Sequence, residues 1–157
     1  MVRQGRETCR NTEVIVVNTS FRPWNLSDMT KNSPPLRVLV VDDEALIRWS
    51  LMETLTDTGH DAVEATDARS AVRALSESTI PFDVVLLDFR LPDSNDLTLL
   101  SQVRRLSPTT QVVLMTAYGT PEVVEGAMEL GVFRVVGKPL EMAEVPDLVS
   151  QAHAARA

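Results

Sequence analysis

The sequence predicts an α/β fold: a doubly wound sheet of five parallel strands in the order 2-1-3-4-5, with helices on both faces. Two observations carry this expectation. Three short runs, Val38-Leu39-Val40-Val41, Val84-Val85-Leu86-Leu87 and Val112-Val113-Leu114-Met115, have the unbroken aliphatic character of strands buried on both faces. Between and after them lie segments with apolar residues at helical spacing. Strand and helix therefore alternate from Leu36 onward, as parallel pairing with helical crossovers requires.

The proline pair Pro34-Pro35 closes a polar stretch and places the domain at residues 36–157. Residues 1–35 hold one strand-like run, Val14-Ile15-Val16-Val17, and a lone Trp24, with no periodic pattern to pack them; they are expected to form a disordered tail. A second reading starts the chain at Met29. After the first strand, Ile47, Leu51 and Leu55 recur at i, i+4 and i+8, predicting a helix from about Glu44 to Thr58 with Gly59 as its stop. Asp61 to Ala65 is a weaker second strand. Asp67 is placed to cap a helix to about Ser76, with Ala71, Val72 and Leu75 inward. The third strand leads to a helix whose core face is Leu99, Leu100, Val103 and Leu106, stopped by Pro108. Following the fourth strand, Thr120-Pro121 pairs a capping hydroxyl with proline at the first helical position and opens a helix to Gly131. The last strand covers about Phe133 to Val136. A final helix begins near Ala143, so that Pro146 falls in its first turn, where a missing N–H is harmless.

Composition narrows the function. Residues 1–35 carry five Lys+Arg against three Asp+Glu, and residues 36–157 ten against nineteen, so the domain is acidic at −9. Without a basic stripe it repels phosphate backbones, which excludes direct nucleic-acid binding and leaves another protein as the expected partner. No apolar run approaches the length of a membrane span, and no secretory leader is expected at the N-terminus; a cytoplasmic location follows. The single cysteine, Cys9, excludes an internal disulfide and a cysteine-based zinc site.

Each apolar run ends in a polar residue: Asp42-Asp43, Asp88 and Thr116. In a parallel sheet these ends share one edge, the crevice where open α/β sheets bind ligands. Lys138, in Gly137-Lys138-Pro139, is the only lysine after Lys31 in a domain that otherwise takes its positive charge from arginine. A compact ammonium there implies a point-charge partner, a carboxylate or a phosphoryl group. Plainer readings exist for each residue. Asp42-Asp43-Glu44 are suited to capping the first helix, and Thr116 to an ordinary place in a strand. Asp88 at a buried strand end needs a charge partner. His60 and His153 read as surface residues.

Val40-Val41-Asp42-Asp43-Glu44, Asp88-Phe89-Arg90-Leu91-Pro92, Met115-Thr116-Ala117-Tyr118-Gly119 and Lys138-Pro139 together resemble the receiver domain of two-component response regulators, with its flavodoxin-like fold. The resemblance spans about residues 36–157, and the Met-Thr-Ala-Tyr-Gly segment is similar to receivers that precede enhancer-binding transcription activators; since no such output domain follows, a single-domain regulator is expected. The resemblance implies that Asp88 accepts a phosphoryl group from the phosphohistidine of a sensor histidine kinase or phosphotransfer protein, or from a small acyl phosphate. It further implies that Asp42, Asp43, Asp88 and the backbone carbonyl of Arg90 hold Mg²⁺, and that Thr116 and Lys138 bind phosphoryl oxygens. Chemistry beyond self-phosphorylation and self-dephosphorylation is not implied. A homodimer through the fourth helix, fifth strand and fifth helix is compatible with it.

Two positions depart from the pattern. Val135 stands where the family usually has Tyr or Phe, and Asp96 where a glycine is common, so the loop at Asp93-Ser94-Asn95-Asp96 is expected to turn differently or to disturb metal affinity. These departures point to the alternative of a phosphate-independent interaction module. A Mg²⁺-dependent phosphohydrolase of the haloacid dehalogenase type ranks last, because its general-acid aspartate would fall at Arg90.

Overall fold

A computed structural model describes residues 34–156. The expected tail, its run at Val14–Val17 and Trp24 lie outside the described residues. Five strands, β1 (Arg37–Val41), β2 (Asp61–Ala65), β3 (Val84–Asp88), β4 (Gln111–Thr116) and β5 (Arg134–Gly137), alternate with five helices, α1 (Ala45–Asp57), α2 (Ala68–Glu77), α3 (Thr98–Leu106), α4 (Pro121–Glu129) and α5 (Val145–Ala154). All neighbouring strands pair in parallel in the order β2-β1-β3-β4-β5, the predicted 2-1-3-4-5.

The period of two along each strand divides the core. Leu39, Val41, Val85, Leu87, Val112 and Leu114 face one side, where they meet Ala71 of α2, Leu99, Leu100 and Val103 of α3 and Ala127 of α4. Val38, Val40, Val84, Leu86, Val113 and Met115 face the other, against Leu51 and Leu55 of α1 and Val145, Leu148, Val149 and Ala152 of α5. Because β1, β3 and β4 are covered on both faces, their sequences could stay uniformly apolar. The edge strands β2 and β5 are only half-buried, and their patterns are correspondingly weaker.

Helix ends follow local chemistry. Asp67 accepts from the Ser70 N–H at 2.8 Å while the Ser70 hydroxyl bonds back to the Asp67 N–H, a reciprocal cap. Thr120 caps α4 ahead of Pro121. Gly59 and Gly131, at φ +90° and +86°, leave α1 and α4 through left-handed backbone. A short 3₁₀ turn, Met142–Glu144, precedes α5 where the sequence predicted the helix itself to begin.

Two expectations need correction. Leu106, assigned to the core face of α3, is 44% exposed; it is the last residue of that helix, whose buried face is Leu99, Leu100 and Val103. His60 is not a free surface residue: its Nδ1 accepts from the Leu36 N–H at 3.1 Å, and burial holds its imidazole below the usual histidine range against the pull of Asp83. His153 lies 3.8 Å from Asp83 Oδ1.

The acidic loop after β3 docks on a neighbouring helix. Asp93 accepts from the N–H groups of Ala68 at 2.8 Å and Arg69 at 3.1 Å, supplying α2 with a second cap from 25 residues away. Asp93→Ala is expected to lower stability by about 1 kcal/mol, the usual cost of a lost helix cap, read from the urea midpoint. An unchanged midpoint would show the cap to be idle.

Candidate functional site

The C-terminal ends of β1, β3, β4 and β5 bring the predicted residues together. Asp42 and Asp88 are buried at the ends of β1 and β3, 0% and 5% exposed, with Asp43 exposed beside them. One carboxylate oxygen from each of the three lies within 4.8 Å of the other two. Lys138 leaves β5 with its backbone N–H donated to the Thr116 carbonyl at 2.9 Å, through a cis Lys138–Pro139 peptide. Its ammonium stands 2.9 Å from Asp42 Oδ2, 3.1 Å from Asp88 Oδ2 and 3.2 Å from Glu44 Oε1. The lone lysine thus has the point-charge partners its identity implied.

Every polar atom of Asp42 has a distinct neighbour. Its N–H donates to the Ala65 carbonyl at 3.2 Å and its Oδ1 accepts from the Glu44 N–H at 2.9 Å. Oδ2 is buried and takes no directed hydrogen bond; the Lys138 contact there is an ion pair at close range. Asp88 Oδ1 accepts weakly from the Arg90 N–H at 3.3 Å, which fixes the start of the following loop. Thr116 is buried at the end of β4, opposite Gly137 of β5, and its Oγ1 accepts from the Tyr118 N–H at 3.2 Å. The Tyr118 ring is 75% exposed.

Electrostatics mark Asp88 as the perturbed group. Burial, and then the neighbouring Asp42 charge, push its carboxyl up to about 6, while Lys138 and the Arg90 N–H pull in the opposite direction. Burial pulls the Lys138 ammonium towards its neutral form. The Asp42 and Asp88 carboxylates outweigh it and hold the ammonium above the usual lysine range.

The residues present fit a divalent cation. Three carboxylate oxygens converge, Asp42 keeps a buried oxygen without a directed donor, and hard oxygen ligands in this number suit Mg²⁺ completed by water and a phosphoryl group. Asp96 is not part of this group among the described residues. Its Oδ1 accepts from the Thr98 N–H at 2.9 Å at the start of α3, and that bond holds its carboxyl below the usual range. The expected disturbance of metal affinity by Asp96 therefore has no direct contact behind it.

Glu44 was read from sequence only as a helix cap. It occupies the cap position of α1 without a side-chain bond to the helix, and its carboxylate joins the Lys138 cluster instead. Its place beside Asp42-Asp43 was the available signal. Val135 is half-buried, opposite Leu114, and packs on the core shared by α3 and α4.

Comparison with known proteins agrees with this geometry. The response regulator receiver domain matches residues 38–150. The response regulator protein PilR of Pseudomonas aeruginosa is 34% identical over 116 residues, 74% of this chain and 26% of that protein. The sporulation initiation phosphotransferase F of Bacillus subtilis is 28% identical over 115 residues, 73% of this chain and 91% of that protein. A CheY-like receiver domain protein from Methanospirillum hungatei superposes with a TM-score of 0.73 at 22% identity, over 78% of this chain and 97% of that one, a likeness of fold. The chain spans about a quarter of the length of PilR and of the NtrC regulators it also matches. No helix among the described residues is long and apolar enough to cross a membrane. The match over residues 38–150 takes in the whole charged cluster and, but for Arg37, the whole sheet, so the chain belongs to the response regulator receiver domain family and to phosphorelay signalling.

Proposed function

We propose that Asp88 is the phosphoacceptor of a signalling switch that takes its phosphoryl group from a sensor histidine kinase or phosphotransfer protein. The observation that carries this reading is the Lys138 ammonium held between Asp42, Asp88 and Glu44 at the crevice edge of the sheet. An Asp88 oxygen forms the new O–P bond as the P–N bond of a phosphohistidine breaks, its electron pair returning to the imidazole nitrogen. Mg²⁺ held by Asp42, Asp43, Asp88 and the Arg90 carbonyl would supply neutralisation of the charge on the phosphoryl oxygens. Lys138 contributes a second positive charge from the β5 side, already within 3.1 Å of Asp88. Thr116, at the end of the adjacent strand, offers its hydroxyl to a phosphoryl oxygen. The work of the site is positioning and charge neutralisation, with no separate base required.

Incubation with acetyl phosphate and Mg²⁺ should add one phosphoryl mass to the intact chain, and chelation of the metal should prevent it. No mass gain under either condition would reject the reading.

The face formed by α4, β5 and α5 is proposed as the surface for a downstream target or a second copy of the chain. Valine at position 135 has little volume to move and one torsion to change, so this face is expected to respond weakly. A phosphoryl group biases the domain only through contacts that differ between its two states, and the Thr116 hydroxyl is then the chief lever. With beryllofluoride as a phosphoryl mimic, amide shifts should concentrate in residues 116–120 and α4 and vanish in Thr116→Ala. Large shifts around Val135 and α5 that persist in Thr116→Ala would show another route of coupling.

A further inference from the structure

The geometry assigns Arg48 as a positioning residue that sets the Asp42–Asp43 peptide, and with it the two carboxylates that flank it. This inference rests on the metal-site reading above. Arg48 lies on the first turn of α1, with its side chain 16% exposed. One guanidinium nitrogen donates to the Asp42 carbonyl at 2.9 Å, and Nε donates to Glu64 Oε1 of β2 at 2.6 Å. The backbone N–H of Arg48 meanwhile donates to the Glu44 carbonyl at 2.9 Å.

The Asp42 carbonyl belongs to the planar peptide that joins the two aspartates, so pinning this oxygen fixes the direction in which Asp43 departs. The opposite side of Asp42 is already tied, its N–H to the Ala65 carbonyl. Arg48 completes the frame by spanning from α1 across the end of β1 to β2. A planar guanidinium holds these two partners in fixed directions, which a rotatable ammonium on a flexible stem does not. Among the described residues the Arg48 side chain makes its hydrogen bonds and ion pair with Glu64 and the Asp42 carbonyl and not with the predicted carboxylate ligands, so its effect has to pass through the peptide.

Positioning and electrostatics predict opposite signs. If Arg48 acted only by its charge, its removal would relieve repulsion of a cation and tighten Mg²⁺ binding. If it positions the carboxylates, removal loosens them and weakens binding by roughly tenfold, as loss of supporting contacts around metal ligands does. The experiment is calorimetric Mg²⁺ titration of the full chain as wild type, Arg48→Met and Arg48→Lys, with metal-free amide spectra of each. The Met variant is expected to raise the dissociation constant roughly tenfold and to shift the Asp43 and Glu44 amides before metal is added. The Lys variant keeps the charge and should fall between. A Met variant that binds Mg²⁺ as tightly as wild type, or more tightly, overturns the assignment, as do unshifted Asp43 and Glu44 amides. A wild type that does not titrate rejects the metal-site reading itself, whereas a titrating wild type matched by both variants rejects only the role of Arg48.

Discussion

Asp88→Asn is expected to abolish phosphoryl uptake from acetyl phosphate and from any kinase donor, leaving the intact mass unchanged where wild type gains one phosphoryl group. The amide fills almost the same volume and its one carbonyl oxygen can still accept from the Lys138 ammonium, so the loss would report the missing nucleophile and not a collapsed site. The same substitution should stabilise the metal-free protein. Asp88 is 5% exposed and its carboxyl is pushed up to about 6 from the ordinary 3.8, so at neutral pH the folded state bears a repulsive charge that asparagine removes. The shift corresponds to at most about 3 kcal/mol. A rise of a few degrees in melting temperature in chelator, combined with no labelling, is the paired result. Equal labelling of both proteins would mean that another residue takes the phosphoryl group.

Sequence patterns exposed the sheet because its three central strands are buried on both faces, where only aliphatic residues fit, and each is terminated by a polar group at the crevice. The site was legible for the same reason: once the strands are parallel, Asp42, Asp43, Asp88, Thr116 and Lys138 cannot avoid sharing an edge. What sequence did not reveal are the contacts made across tertiary distance by ordinary polar residues. Asp93 reaching α2, Arg48 reaching both Asp42 and Glu64, and His60 accepting from Leu36 leave no periodicity and no spacing rule. Glu44 stood in view, but its position before a helix made capping the simpler reading until Lys138 was seen beside it. Leu106 misled because helical spacing says which face a residue is on, and not whether the end of the helix is covered.

Lys138→Met should destabilise the metal-free protein by about 3 kcal/mol at pH 7.5, measured by urea unfolding in chelator. Methionine keeps an unbranched stem, so the change isolates the charge. In wild type the ammonium compensates Asp42, Glu44 and Asp88 at 2.9 to 3.2 Å; without it, two nearly fully buried carboxylates face each other unpaired. The pH dependence carries the diagnosis. Asp88 has its carboxyl raised from 3.8 to about 6 in the fold, so between those values the folded state binds a proton that the unfolded state has released. Stability from this group is therefore fully present at the acid end and falls as pH rises through about 6. Removing Lys138 takes away an interaction that lowers the Asp88 value, which pushes the upper edge of this window higher. The deficit of the variant should shrink towards pH 5, where protonation of Asp88 does what the lysine did, and be largest above pH 7. Mg²⁺ should then stabilise the variant more than wild type, because the ion no longer competes with a resident ammonium for the same oxygens. A deficit that stays constant from pH 5 to 8 would trace to packing of the lysine stem, and the carboxylates would not be the partners that account for Lys138.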